Sequence, residues 1–266
     1  MAHDEDDGTA RTGSAEHVLT NREHWDAEAA AYQAKHTATL PTDGPITWGV
    51  WAISDDDLAV LSDVDWRGLD LLELGCGAGQ WGMRLARQGA RVIGIDNSLS
   101  QLQHGQRLQQ DTGVAFPLLQ ADAERLPFAD ASFDVVACDW GAMSFADPFR
   151  TVPEATRVLR PGGTFAFSTF HPFEWLSYDS VDQHNTTTLL NDYFEQYRWD
   201  DEDGTVLFNL TFQDWIGLFS SNGLVVVDVA EPQAPDASAS TYRDESDRAW
   251  AKRWPAEIIW RLRRTG

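Results

Sequence analysis

The chain has 266 residues and a formal net charge of −22, with 42 acidic residues against 20 basic ones, of which only Lys35 and Lys252 are lysine. That length allows one large α/β domain with a sizeable core, and that charge repels phosphate backbones, which argues against DNA or RNA held through a broad electrostatic footprint. Acid excess with scarce lysine fits either a salt-adapted host or ordinary solubility from a GC-rich genome.

Residues 1–16 are polar and acidic and read as a disordered tail, without the apolar core of a signal peptide. No apolar run approaches the ~20 residues that span a bilayer, so a cytoplasmic protein is expected. Across 23–35 the spacing of Trp25, Ala29 and Tyr32 predicts a helix, and Pro41 and Pro45 interrupt the segment after it. Ser54 is placed to cap a second helix carrying Leu58 and Leu61, with Asp55, Asp56 and Asp57 complementing its positive end. Strands and helices then alternate: strands at 69–74, 91–96, 117–122, 133–139 and 163–170, helices at 80–88, 98–110 and 147–159. Such alternation argues for a parallel sheet with helices on both faces. Beyond it, 171–192 is aromatic and polar without a period, and 193–199 with 205–212 reads as a hairpin around Asp203-Gly204. A helix at 213–221, a strand at 224–230, a Pro/Ala/Ser/Asp linker at 231–241 and a last strand at 256–262 complete the pattern.

The most informative stretch is LLELGCGAGQ, residues 71–80. An apolar strand carries Glu73 and runs into Gly75, Gly77 and Gly79, where positive φ and close backbone approach suit a nucleotide cradle. A dinucleotide fingerprint needs its third glycine at position 80, which is Gln80, so a nicotinamide-dependent oxidoreductase is the disfavoured alternative. Asp96 ends the second strand, where a carboxylate can accept from both hydroxyls of an adenosine ribose. Asp122-Ala123 follows the third strand and Asp139-Trp140 ends the fourth. Cys76 and Cys138, the only cysteines, fall at neighbouring strand ends. Two readings stand for them: small buried residues in a reducing compartment, or a redox or nucleophilic pair.

In register, these residues resemble the class I S-adenosylmethionine (SAM) dependent methyltransferases, small-molecule branch, of the bacterial and archaeal type 11-like group. The resemblance continues through LPFADASFDVVACDWGAM (126–143) and RVLRPGG (157–163), covering roughly 46–170. It is weaker at DWIGLF (214–219) and RWPAEIIW (253–260). It implies an α/β fold: a Rossmann-like doubly wound seven-stranded sheet with helices on both faces, the last strand antiparallel between the fifth and sixth. An N-terminal helical segment and a β-hairpin insertion after the fifth strand go with it. A single catalytic domain over 17–266 is implied, with 17–65 as a helical lid and 171–212 covering the substrate site. The implied cofactor is SAM, leaving as S-adenosylhomocysteine. The residues implied around it are Glu73, Gly75, Cys76, Gly77, Gly79, Asp96, Asn97, Asp122, Ala123, Asp139 and Trp140, with Asp122 and the Ala123 amide at the adenine edge.

A sulfonium methyl group is already electrophilic, so alignment dominates, and a general base is needed only for a protonated acceptor. His171, in STFHPF, is the expected base, and packing in the pocket wall is its other reading. Asp139 is expected beside the methyl site, orienting the methionine amine or a substrate, or serving structure alone. Tyr32, His36, Trp48, Trp51, Trp140, Met143, His171 and Trp175 are expected to line the acceptor site, with Phe145, Phe170 and Phe173 at the same rim. Such walls suit a planar or apolar acceptor; core filling is the competing reading for any one tryptophan. The fourth strand ends in DWGA rather than [DN]-P-P-[YF], which disfavours base methylation. No Cys, His and acidic cluster has metal-ligand spacing, so no metal is expected. The expected partner is a small-molecule methyl acceptor, with no nucleic acid and no membrane, on a monomer or homodimer. A non-catalytic SAM-binding protein is the alternative from another class.

Overall fold

The structure, a computed structural model, describes residues 15–36, 39–237 and 240–266. The expected acidic tail lies outside the described residues as far as residue 14, and Glu16 already belongs to the first helix. Seven strands form the central sheet: β1 Asp70–Leu74, β2 Arg91–Asp96, β3 Leu118–Gln120, β4 Phe133–Asp139, β5 Leu159–Phe170, β6 Leu224–Ala230 and β7 Glu257–Arg264. Their order is β3-β2-β1-β4-β5-β7-β6. Neighbours from β3 to β5 pair in parallel, and β7 runs antiparallel to both β5 and β6. This is the doubly wound Rossmann-like sheet with its last strand inserted.

Strand side chains alternate between faces. Leu72, Leu74, Val136, Cys138, Phe165 and Phe167 enter one core with Trp215 and Phe219. Leu71, Val135, Ala137, Ala166 and Ile259 enter the opposite core with Trp48, Trp66 and Trp81. Each fully buried aliphatic or aromatic side chain contributes about 1.5–3 kcal/mol. The same alternation sends Glu73, Asp139, Ser168 and Glu257 to the second face, which decides where the polar site lies.

The helices are α1 Glu16–His36, α2 Gln80–Arg87, α3 Leu99–Thr112, α4 Gly141–Phe145, α5 Pro148–Val158, α6 Pro172–Ser177, α7 Phe212–Ser221 and α8 Glu245–Ala251. Ser98 caps α3 by accepting from Gln101 N, and Gly113, at φ 69°, ends it. Asp147 caps α5 and Thr211 caps α7 in the same way. α1 begins seven residues before the helix predicted from apolar spacing, because it buries a polar face, including His17, Asn21, Gln33 and His36. The second predicted helix is a single turn, Asp55–Leu58, ended by Ala59 in left-handed geometry. Asp55 is buried and accepts from Trp48 Nε1 (2.7 Å) and Leu61 N (3.0 Å), so it ties the segment down instead of complementing a helix dipole. The stretch without a period folds as α6 and a short ribbon, Tyr178–Asp179 with His184–Asn185. The expected hairpin is Arg198–Asp200 paired with Val206–Phe208.

Candidate active site

β1 ends in a loop where Gly75, Gly77 and Gly79 have φ of 61°, 55° and 73°. A Cβ on Gly75 would overlap the Ala142 amide at the start of α4, so the loops after β1 and β4 touch backbone to backbone. Gly77 N donates to Asp96 Oδ2 (2.7 Å) and Ser98 N to Asp96 Oδ1 (2.8 Å), tying the loop to the end of β2. Burial outweighs these bonds and lifts the Asp96 pKa to about 6. Glu73, below the loop, is lifted by burial to about 8 despite the Arg84 guanidinium, and its Oε2 is buried without a hydrogen-bond partner. Asp122 accepts from Glu124 N (2.9 Å) and is also raised by burial, and Ala123 beside it is buried. Cys76 and Cys138 are free, buried thiols pushed up by desolvation. Burial disfavours the thiolate that a nucleophile or redox pair needs and favours the packing reading.

α1 lies across this cradle and bonds to it through polar side chains. Asn97 Nδ2 donates to Val18 O, and Arg22 Nε donates to Asn97 Oδ1. Ser98 Oγ donates to Asp26 Oδ1, and Gln33 bonds both Gln80 and Gln101. Farther along, the Tyr32 and Tyr242 hydroxyls pair at 2.9 Å, within the field of Asp139. His36 stacks on Tyr242 at 4.0 Å, and burial pushes it down to about 4, so it is neutral at pH 7.

Asp139 closes β4 with Oδ1 accepting from Ser168 Oγ (2.6 Å) and Gly49 N (2.9 Å). Trp140 then takes φ 63°, uncommon for a bulky residue. Its amide donates to Ser168 Oγ (2.8 Å) and its Nε1 to Glu257 Oε2 (3.0 Å). Glu257 also accepts from Val50 N (3.1 Å), and burial lifts it to about 8. A Cβ on Gly49 would overlap that carboxylate. The sequence pattern singles out neither Ser168 nor Gly49. A lone acid in the apolar run AEIIW is the signal that marks Glu257.

The structure gathers the strand-end acids, Tyr32, His36 and Trp140, and it corrects three expected lining residues. Trp48 is 1% exposed, packs on Trp81 and donates to Asp55, so it belongs to the core. Met143 is fully buried in the opposite core, beneath α4. The expected base, His171, has both ring nitrogens engaged: Nδ1 accepts from Phe173 N (3.0 Å) as the cap of α6, and Nε2 faces Glu231 Oε1 (2.8 Å). Burial lowers its pKa, and as placed it has no free nitrogen to take a proton. Trp51 is buried with Trp250 in one cluster, against which Trp140 and Phe173 pack. Trp175 lines a pocket that also contains Phe170, and Phe170 meets Trp140 edge-on at 4.4 Å. Among the described residues no group of three or more His, Cys, Asp and Glu could hold a metal ion, and no helix is long and apolar enough to cross a membrane.

A doubly wound sheet with β7 inserted, and a glycine loop after β1, define the fold of the class I SAM-dependent methyltransferases. Residues 72–167 match the family model described as a methyltransferase domain. The demethylmenaquinone methyltransferase of Lactococcus lactis is 35% identical over 113 residues, 41% of this chain and 45% of that protein. The chain thus spans about half the length of the curated relatives it matches. A SAM-dependent methyltransferase from Mesorhizobium loti superposes with a TM-score of 0.63 at 23% identity, covering 81% of this chain and 100% of that one. The 1,6-didemethyltoxoflavin-N1-methyltransferase of Burkholderia thailandensis, solved with 1,6-didemethyltoxoflavin and S-adenosylhomocysteine, has a TM-score of 0.60 at 16% identity and covers 97% and 94% of the two chains.

Proposed function

We propose that this chain is a SAM-dependent methyltransferase that transfers a methyl group by in-line displacement to a small, aromatic or lipophilic metabolite and releases S-adenosylhomocysteine. The observation that carries this reading is the convergence of the glycine loop, Asp96, Asp122 and Asp139 at the carboxyl ends of four adjacent strands. That is the crevice where open α/β sheets bind ligands. The named acceptors of two relatives, demethylmenaquinone and 1,6-didemethyltoxoflavin, are small molecules.

The residues fit the cofactor. Asp96 is placed for ribose hydroxyls, and Asp122 with the Ala123 amide for the adenine edge. Glu73 keeps a buried, unbonded oxygen below the loop, and a nearby ammonium would favour its charged form. Bound SAM supplies a methyl group on a sulfonium, electrophilic without further activation. The chain then has to align the acceptor and exclude water. Within one domain over 17–266, α1 acts as the lid, with Tyr32 and His36 over the cleft, and 171–212 covers the acceptor site. Asp139, fixed by Ser168 and Gly49, orients the methionine end. Trp140, next in the chain, offers its ring beside it. His171 serves as a positioning residue that holds α6 against Glu231.

Incubation with methyl-labelled SAM and host-cell extract, followed by mass spectrometry, tests the reading. Label recovered in a small molecule is the expected outcome. Bound S-adenosylhomocysteine with label transferred nowhere would overturn catalysis in favour of a SAM-binding protein.

A further inference from the structure

Beside Phe170 lies a small, partly open pocket lined by Glu174, Trp175, Tyr178, Trp199 and Arg243, none of them a residue of the cofactor cradle. Its walls are rings. Trp175 and Trp199 lie 4.6 Å apart with a 33° tilt, Trp199 meets Phe170 at 5.6 Å, and Phe170 meets Trp140 at 4.4 Å. This row runs from the pocket to the end of β4. Within the pocket, Arg243 Nη2 donates to Glu174 Oε1 (2.6 Å). Glu174 is 2% exposed, and its Oε2 has no hydrogen-bond partner. Trp199 Nε1, on the same lining, is likewise buried without one. Buried polar atoms are nearly always bonded, so two unbonded ones on residues that line a single cavity point to a molecule that supplies the partners.

The charges around Glu174 set its state. Burial and Asp247 push it up, Arg243 pulls it down, and the balance lies at about 7. Glu257 and Tyr178 share its field, and Asp201 lines the same pocket. Above neutral pH, where the carboxylate predominates, Oε2 is an acceptor in need of a donor.

We propose that this pocket is the acceptor subsite, and that Glu174 Oε2 selects planar aromatic molecules carrying an O–H or N–H group. The word acceptor rests on the methyltransferase reading; the binding chemistry does not. The ring lies against Trp175 and Trp199 while its hydrogen meets Glu174 Oε2. Methylation of an O–H or ring N–H acceptor at that heteroatom replaces its one hydrogen, the proton passing to the Glu174 carboxylate, so this site holds substrate more tightly than product.

Isothermal titration calorimetry with 2-naphthol and its methyl ether, 2-methoxynaphthalene, tests the proposal, with and without S-adenosylhomocysteine. The naphthol is expected to bind about tenfold or more tightly than the ether, the worth of one charge-assisted hydrogen bond. In Glu174→Gln the amide oxygen stays on Arg243 and an N–H replaces Oε2, so the preference disappears while S-adenosylhomocysteine affinity holds. If that variant does not fold, Glu174→Asp, which keeps the charge for Arg243 and withdraws the carboxylate, is expected to weaken the preference. Equal affinity for the two probes in the wild type, binding of neither, or an undiminished preference in the folded variants would overturn the proposal. A naphthol preference that depends on Glu174 in a protein that does not bind S-adenosylhomocysteine would overturn the methyltransferase reading alone.

Discussion

The β2 side of the cleft offers a ligand backbone geometry and acids bonded to it, whereas the β5 side offers aromatic rings and several buried polar atoms without partners, a trait the cradle shows only at Glu73 Oε2 below the loop. Each Asp96 oxygen accepts one backbone N–H, from Gly77 or Ser98, and keeps a second acceptor site, and three glycines set the path of the loop. Across the cleft, Trp51 Nε1, Trp199 Nε1 and Glu174 Oε2 are buried and unbonded. On the proposed reading, the labour of recognition is divided accordingly. A ligand common to every turnover can be read by the sheet itself, where strand ends and glycines fix the geometry. Under the same proposal, a particular acceptor is read by side chains carried on segments outside the sheet, α6, the 198–208 hairpin and the loop bearing Arg243.

Breaking the first side should give the largest effect. Gly75→Val places a side chain where the Ala142 amide lies, at φ 61°, adding to a backbone strain of about 1–3 kcal/mol. Calorimetry should show S-adenosylhomocysteine binding abolished, and the melting temperature should drop. Gly77→Ala, whose Cβ would meet nothing nearer than Gln101 Oε1 at 3.9 Å, should lose less; equal losses would mean that the contact with α4 does not shape the cradle.

A smaller effect probes the second side. Glu257 and Glu174 are raised to about 8 and about 7, and Glu73 adds a shift of the same sign from the cradle. The folded chain therefore holds protons that the unfolded chain releases near the ordinary value of 4.5. The stability this gives is complete below that value and fades as pH rises through the folded pKa values. The melting temperature of the unliganded protein should fall by a few degrees from about pH 5 to about pH 9. Glu257→Gln, which retains an oxygen for Trp140 or Val50, should flatten the fall; an unchanged slope would show that Glu257 is ionised throughout.

The first side was legible in the sequence because its signals are local. Glycine spacing and an acid at the end of each apolar run placed Gly75, Asp96, Asp122 and Asp139 where the structure has them. The second side depends on partners far apart in the chain, such as Arg243 with Glu174, or Glu257 with Val50 and Trp140. No local period reports those pairings. His171 lies just beyond β5 as expected, but its ring turns to Phe173 N and Glu231, a choice made by the surrounding loops. Trp48 and Met143 show the same limit, since residue type alone does not say which aromatic or thioether fills a core. The length of α1 was hidden because its buried face is polar, and α8 because seven residues rich in charge carry too little pattern.

Calorimetric titration of S-adenosylhomocysteine into the wild type and Asp96→Ala bears most directly on whether the strand-end acids and glycine loop hold an adenosine cofactor. One site is predicted in the wild type, with affinity lower by roughly 10- to 100-fold in the variant, the worth of hydrogen bonds to a charged group. No binding to the wild type, or equal affinity in the folded variant, would contradict it.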